Sequence, residues 1–177
     1  MIFTATALPG AFVIELTRLR DDRGSFARTF CAETFAGQGL CSVYVQCSTS
    51  RSARTGTLRG MHYQEEPHAE AKLVRVTQGA IHDVVLDLRA NSPTYLRWFG
   101  VDLSADNGRM IYVPEGFAHG FQTLCDDVEV FYQMSRPYVP AAARGVRWDD
   151  PAFGIVWPDT SPRVIGERDS CYPNFTA

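Results

Sequence analysis

Four side chains of this sequence form a set able to move protons at carbon: His62, Lys72, His119 and Tyr132. An imidazole is a base near neutral pH, an ammonium is a cation, and a phenol is a weak acid. Such a set suits abstraction of a proton next to a carbonyl. The base takes the C–H proton, the cation stabilises the enolate oxygen, and the acid returns a proton to carbon. Return from the opposite face is epimerisation, whereas return at a different atom is isomerisation. Lys72 stands out because it is the only lysine in the chain, every other side-chain cation of this type being arginine. Tyr132 lies in Val128-Glu-Val-Phe-Tyr132-Gln-Met, where Val128, Val130 and Tyr132 share one face of an extended segment. That pattern suits a core residue as well as an acid.

Two further signals surround this set. In Ile81-His-Asp-Val-Val-Leu-Asp-Leu the period of two puts Val84, Leu86 and Leu88 on one face and Asp83 on the other. If the Asp83 face lines an interior, this carboxylate needs a hydrogen-bonding or charged partner, and His119 is the candidate. Arg23, Arg28 and Arg59 lie beside the tight turns of Asp21-Asp-Arg-Gly24 and Thr55-Gly56. A guanidinium fork matches phosphate oxygens in a bidentate way, which points to a phosphorylated substrate.

The elements that must position these residues are short. Val43–Gln46, Leu73–Thr77, Ile81–Leu88, Tyr95–Leu103, Met110–Val113, Gly120–Leu124 and Val128–Met134 read as strands, separated by Gly, Pro, Asn and Asp clusters. Strands at this spacing predict an all-β sandwich or barrel, a jelly roll occupying residues 1–177 as a single domain. Only Ala32–Gly39 reads as helical. The last forty residues are rich in Pro, Trp and Asp, and Val146, Trp148, Phe153, Ile155 and Trp157 predict an ordered tail packed on the barrel.

Composition narrows the classes further. A 177-residue chain with 45% hydrophobic residues can bury a sizeable core, and no run approaches the roughly 18 apolar residues of a membrane span. The N-terminus lacks the charged start and long apolar stretch of a secretory signal, which predicts a cytoplasmic protein. Five cysteines without CxxC spacing predict free thiols in place of a disulfide framework or zinc site. A net charge of −3, with pI near 5.8, argues against nucleic acid as a partner.

The string Gly108-Arg-Met-Ile-Tyr-Val-Pro114-Glu-Gly116-Phe-Ala-His119 has the spacing G-x5-P-x-G-x2-H and resembles the second motif of the cupin β-barrels. Arg59-Gly60-Met61-His62-Tyr63-Gln64 stands as its first motif. The resemblance implies a cupin-type double-stranded β-helix with short helices and brings His62 and His119 into one pocket. Metal-binding cupins carry a histidine pair and a carboxylate in the first motif. Here Gln64 stands at the second histidine, so organic acid/base chemistry is expected, with no metal and no cofactor.

Longer segments resemble the dTDP-4-dehydrorhamnose 3,5-epimerase family of nucleotide-sugar epimerases. They are Asp22-Arg-Gly24-Ser-Phe26, Gly56-Thr-Leu-Arg-Gly-Met-His-Tyr-Gln64, Lys72-Leu-Val-Arg-Val, Asp83 to Tyr95, Val113-Pro-Glu-Gly-Phe-Ala-His-Gly-Phe121, Trp148-Asp-Asp-Pro151, Ile155-Val-Trp-Pro158 and Arg168-Asp169. By this resemblance His62 is the base acting α to a C4 ketone, with Asp169 fixing its tautomer. Lys72 stabilises the enolate and Tyr132 is the acid on the opposite face. The resemblance implies that His119 and Asp83 support the pocket near the sugar. It further implies that Arg23, Gln46, Arg59 and Arg168 contact the nucleotide diphosphate, while Phe26 and Tyr138 pack at the base or sugar. It also implies an NDP-sugar substrate and a homodimer with strand exchange. Three positions depart from the family pattern: Arg28 and Ser48 in the nucleotide-binding region, and Ala143 before Arg-Gly. The expected activity is epimerisation at C3, C5 or both of an NDP-4-keto-6-deoxyhexose. A 3,4-ketoisomerase and a non-catalytic nucleotide-sugar-binding cupin are the alternatives.

Overall fold

Short strands with one apolar face gain stability only by pairing edge to edge and stacking that face against another sheet. The computed structural model, which describes residues 1–159 and 161–176, meets this requirement with two facing sheets. In chain order the strands are β1 (Ile2–Ala5), β2 (Phe12–Glu15), β3 (Leu19–Asp21), β4 (Gly24–Phe26), β5 (Gln46–Ser52), β6 (Thr57–Gln64), β7 (Lys72–Gln78), β8 (Ala80–Asp87), β9 (Trp98–Ser104), β10 (Met110–Val113), β11 (Phe117–Thr123), β12 (Val128–Met134), β13 (Ala143–Gly145) and β14 (Val164–Ile165). Two short helices accompany them, α1 (Ala32–Gly37) and α2 (Glu167–Ser170).

One sheet has the order β1-β2-β10-β7-β12-β5, and the other β13-β6-β11-β8-β9 with β14 added in parallel to β6. β3 and β4 form a separate hairpin. Between the sheets lies a core of Val74, Val76, Ile111, Val113, Val128 and Val130 from the first and Ile81, Val85, Leu103, Phe117 and Phe121 from the second. This is the cupin-type jelly roll. The tail is ordered: Val146, Phe153 and Trp157 cover the outer face of the second sheet against Leu58, Met61, Val84, Leu86 and Ala118. The Trp157 indole N–H donates to the Trp148 carbonyl at 2.8 Å, and Arg163 stacks over the Trp148 ring.

Both faces of β8 are therefore buried, and the apolar stripe of Val84 and Leu86 faces the tail while Asp83 faces the interior. Several boundaries differ from the sequence reading. Pairing begins at Ile2, well before Val43–Gln46, the first strand read from the sequence, and includes the β3–β4 hairpin. Val43 and Val45 are exposed and outside the sheet, the strand running instead over Gln46–Ser52. Residues 92–97 form turns, so β9 begins only at Trp98. A second helix, α2, interrupts the tail because the chain turns there to bring Asp169 under β6.

Candidate active site

A cavity of about 810 Å³ opens between the sheets, walled by β5, β12 and the start of β7 on one side and β6 and β11 on the other, with residues 164–169 of the tail along its rim. Antiparallel register sets His62 of β6 directly opposite His119 of β11. The strands come unusually close here. A Cβ on Gly60, whose φ is 127°, would lie 2.6 Å from the Gly120 Cα, so only glycine allows this approach.

His62 is the centre of a dyad. Its Nε2 lies 2.7 Å from Asp169 Oδ1, and the Gly60 N–H donates to Asp169 Oδ2 at 3.0 Å. Asp169 is 11% exposed and His62 38%, so the carboxylate is enclosed while the imidazole remains open to the cavity. Burial pushes the Asp169 carboxyl up, but the His62 hydrogen bond and charge, the Gly60 N–H and the Arg168 charge outweigh it and hold it below its ordinary range. Tyr172 meets the His62 ring edge to face, and a side chain on Gly145 would collide with the Tyr172 ring.

The facing sheet contributes Tyr132 and Lys72. Tyr132 packs edge to face on His119, with ring centroids 6.1 Å apart. Burial first, and then the Asp83 charge, drive its phenol well above the ordinary range, only partly offset by Arg59 and a hydrogen bond with Ser50, so the group stays protonated. Lys72 Nζ donates to the His62 carbonyl at 3.2 Å and pairs with Glu70 Oε1 at 3.0 Å. Asp83 sits behind the wall, fully buried, with Oδ2 2.8 Å from His119 Nε2. Gln64 carries no open donor set: its amide donates to the His68 and Pro137 carbonyls and accepts from the Val139 N–H. Among the described residues no three His, Cys, Asp or Glu side chains gather as a ligand set.

Of the predicted residues, His62, Lys72, Tyr132, Asp169, His119, Gln46, Arg59, Tyr138 and Arg168 all line this cavity. Gln46 accepts the Tyr138 N–H, Arg59 is braced by Ser52 and the Arg51 carbonyl, and Arg168 donates to the Tyr172 hydroxyl. Arg23, Phe26 and Arg28 do not line it. Arg23 and Phe26 lie on the outstanding hairpin, Arg23 paired with Asp21 and 89% exposed, Phe26 70% exposed. Glu70, Ser50, Met134 and Arg136 line the cavity without having been singled out in the sequence. The period of two could have found them, since Gln46, Ser48 and Ser50 alternate on β5, Tyr132, Met134 and Arg136 on and beyond β12, and Glu70 precedes Lys72 by two.

Comparison with known proteins agrees with this architecture. The family described as dTDP-4-dehydrorhamnose 3,5-epimerase matches residues 5–177. The dTDP-4-dehydrorhamnose 3,5-epimerase of Sinorhizobium fredii is 42% identical over 175 residues, 99% of this chain and 90% of that protein. The crystal structure of the Bacillus anthracis dTDP-4-dehydrorhamnose 3,5-epimerase with TDP and PPi bound superposes with a TM-score of 0.94 at 40% identity, covering 98% of this chain and 99% of that one. A Legionella pneumophila dTDP-6-deoxy-D-glucose-3,5-epimerase in complex with dTDP-4-keto-L-rhamnose gives 0.91 at 32% identity, with 99% of each chain covered. By sequence along almost its whole length and by fold, the chain belongs to the dTDP-4-dehydrorhamnose 3,5-epimerase family.

Proposed function

We propose that this protein epimerises a dTDP-linked 4-keto-6-deoxyhexose at C3, C5 or both, as a step of deoxysugar biosynthesis. The observation that carries this reading is His62 on one sheet, paired with Asp169 of α2, and a protonated Tyr132 on the facing sheet, across one cavity. A sugar ring held between them meets a base on one face and an acid on the other. Asp169 accepts the Nε2–H, which leaves the Nδ1 lone pair to take the proton α to the C4 ketone. The Lys72 ammonium stabilises the enolate oxygen, and the Tyr132 phenol returns a proton from the opposite side. Arg59, Arg136 and Arg168 supply positive charge for the diphosphate. The TDP bound to one structural relative and the dTDP-4-keto-L-rhamnose bound to the other support the same substrate class.

The site is completed, in this reading, by a second copy of the chain. Arg23 and Phe26, expected against the nucleotide, lie outside this chain's own cavity on an exposed hairpin, and Leu19, Val43 and Val45 also present apolar surface. A homodimer that exchanges strands would cover that surface and deliver the hairpin to the partner's cavity. Five free thiols suit a cytoplasmic setting.

The test is exchange in deuterated solvent. With dTDP-4-keto-6-deoxyglucose, NMR is expected to show deuterium at C3 or C5 with the C4 ketone retained. Absence of incorporation under saturating enzyme overturns the proposal, and migration of the ketone to C3 indicates the ketoisomerase instead.

A further inference from the structure

Glu70 is a buried carboxylate within the cavity wall that the proton-transfer scheme leaves unused. It stands two residues before Lys72, so the extended period that turns Lys72 toward the cavity turns Glu70 the same way. Its side chain is 6% exposed, against 12% for Lys72, and the two pair at 3.0 Å through Oε1. Oε2 is buried without a hydrogen-bond partner, so among the described residues the ammonium is the carboxylate's one polar partner. A buried carboxylate with one oxygen unsatisfied is costly and persists where its charge has a task. Lys72 uses a second N–H on the His62 carbonyl. Of three donors, one is left. Three cavity arginines differ: Arg59, Arg136 and Arg168 have no carboxylate partner among the described ion pairs, whereas Arg144 pairs with Glu65, so the charge of those three is free for phosphate.

We propose that Glu70 is a positioning residue that pins the Lys72 ammonium between its own carboxylate and the His62 carbonyl and neutralises it toward the diphosphate, reserving the remaining N–H for the enolate oxygen. The inference rests on the epimerase reading above. It makes the lysine a local hydrogen-bond donor at the reacting carbonyl and leaves long-range anion attraction to the arginines.

Because Lys72 is the only lysine, lysine labelled with 13C gives a single Cε resonance that reports its environment directly. In Glu70→Gln this resonance is expected to move toward that of free lysine. The kcat is expected to fall by about ten- to a hundredfold, the order seen when a catalytic group is misplaced. Binding of dTDP is expected to tighten several-fold as the released ammonium turns to the phosphates, so KM does not rise. In a Lys72→Met background Glu70→Gln is expected to cost little further kcat. Unchanged kcat with an unchanged resonance overturns the proposal. So does a parallel loss of dTDP affinity and unfolding midpoint, which marks Glu70 as merely structural. Should Glu70→Gln not fold, Glu70→Asp keeps the charge and shortens the reach. It is then expected to shift the resonance and lower kcat without tightening dTDP, and an unshifted resonance overturns the proposal. If the wild type shows no exchange at all, the epimerase reading fails, while the resonance still decides whether Glu70 holds Lys72.

Discussion

The His62–Asp169 contact, in the proposed epimerisation, ties reactivity and stability to the same pair. His62→Asn is expected to abolish deuterium exchange while leaving the circular dichroism spectrum unchanged, and appreciable residual exchange would place the base elsewhere. Asp169→Asn can still occupy the site but no longer fixes the tautomer, so activity is expected to fall about tenfold or more, the scale of lost orienting partners. The same substitution carries a pH signature. The Asp169 carboxyl is held below its ordinary range, so its contribution to stability is present above the unfolded value, near 4, and is lost as pH falls through the lower folded one. Denaturation midpoints of wild type and Asp169→Asn should therefore separate at neutral pH and converge in acid. At this scale the chemistry-bearing residue types were visible in the sequence. Asp169 was reached only through family resemblance, because no local pattern ties a tail aspartate to a histidine on β6.

At the scale of elements, the β8–β9 connection is held by a buried ionic cluster. Burial pushes the Asp87 carboxyl up, but hydrogen bonds from Arg89, Ser92 and Thr94 and the Arg89 N–H bring it down to about 2. Arg89 also reaches the Pro9 carbonyl and stacks on Phe117, joining the N-terminal segment to β11. Asp87→Asn is expected to cost about 2 kcal/mol at pH 7 by urea denaturation, from the depressed carboxyl and the broken pair. With the folded value lowered, the penalty persists above pH 4 and shrinks as pH falls toward 2. The Asp83 to Tyr95 segment carried the family resemblance, yet it did not disclose why this aspartate is needed. Its partners, Arg89, Ser92 and Thr94, lie within the following turn, and their convergence depends on the path of residues 92–97. Boundaries shifted for a similar reason. Val43 and Val45 have strand-forming side chains, but the strand begins where β12 offers a partner edge, from Gln46.

For the whole molecule, the outstanding hairpin and exposed apolar side chains lead to a measurable expectation. Light scattering should give twice the 19.7 kDa chain mass, and Arg23→Ala is expected to weaken dTDP binding although Arg23 lies outside its own chain's cavity. Binding equal to wild type would remove Arg23 from the site. Mixing Arg23→Ala with His62→Asn subunits should restore part of the exchange activity, because each hybrid dimer contains one cavity with both intact residues.

What the sequence determined by itself is the inventory and the periodicity. An imidazole, a single lysine, a tyrosine and an aspartate opposite an apolar stripe belong to short strands that can only become stacked sheets. Those properties are local, because alternation is a consequence of strand geometry at two residues per repeat. The tertiary structure decided which of these side chains meet. It set His62 against His119 through the Gly60–Gly120 approach and carried Asp169 from the tail to the imidazole, while leaving Arg23 and Phe26 outside. Such contacts depend on pairing register and chain path between distant segments, which no local period encodes.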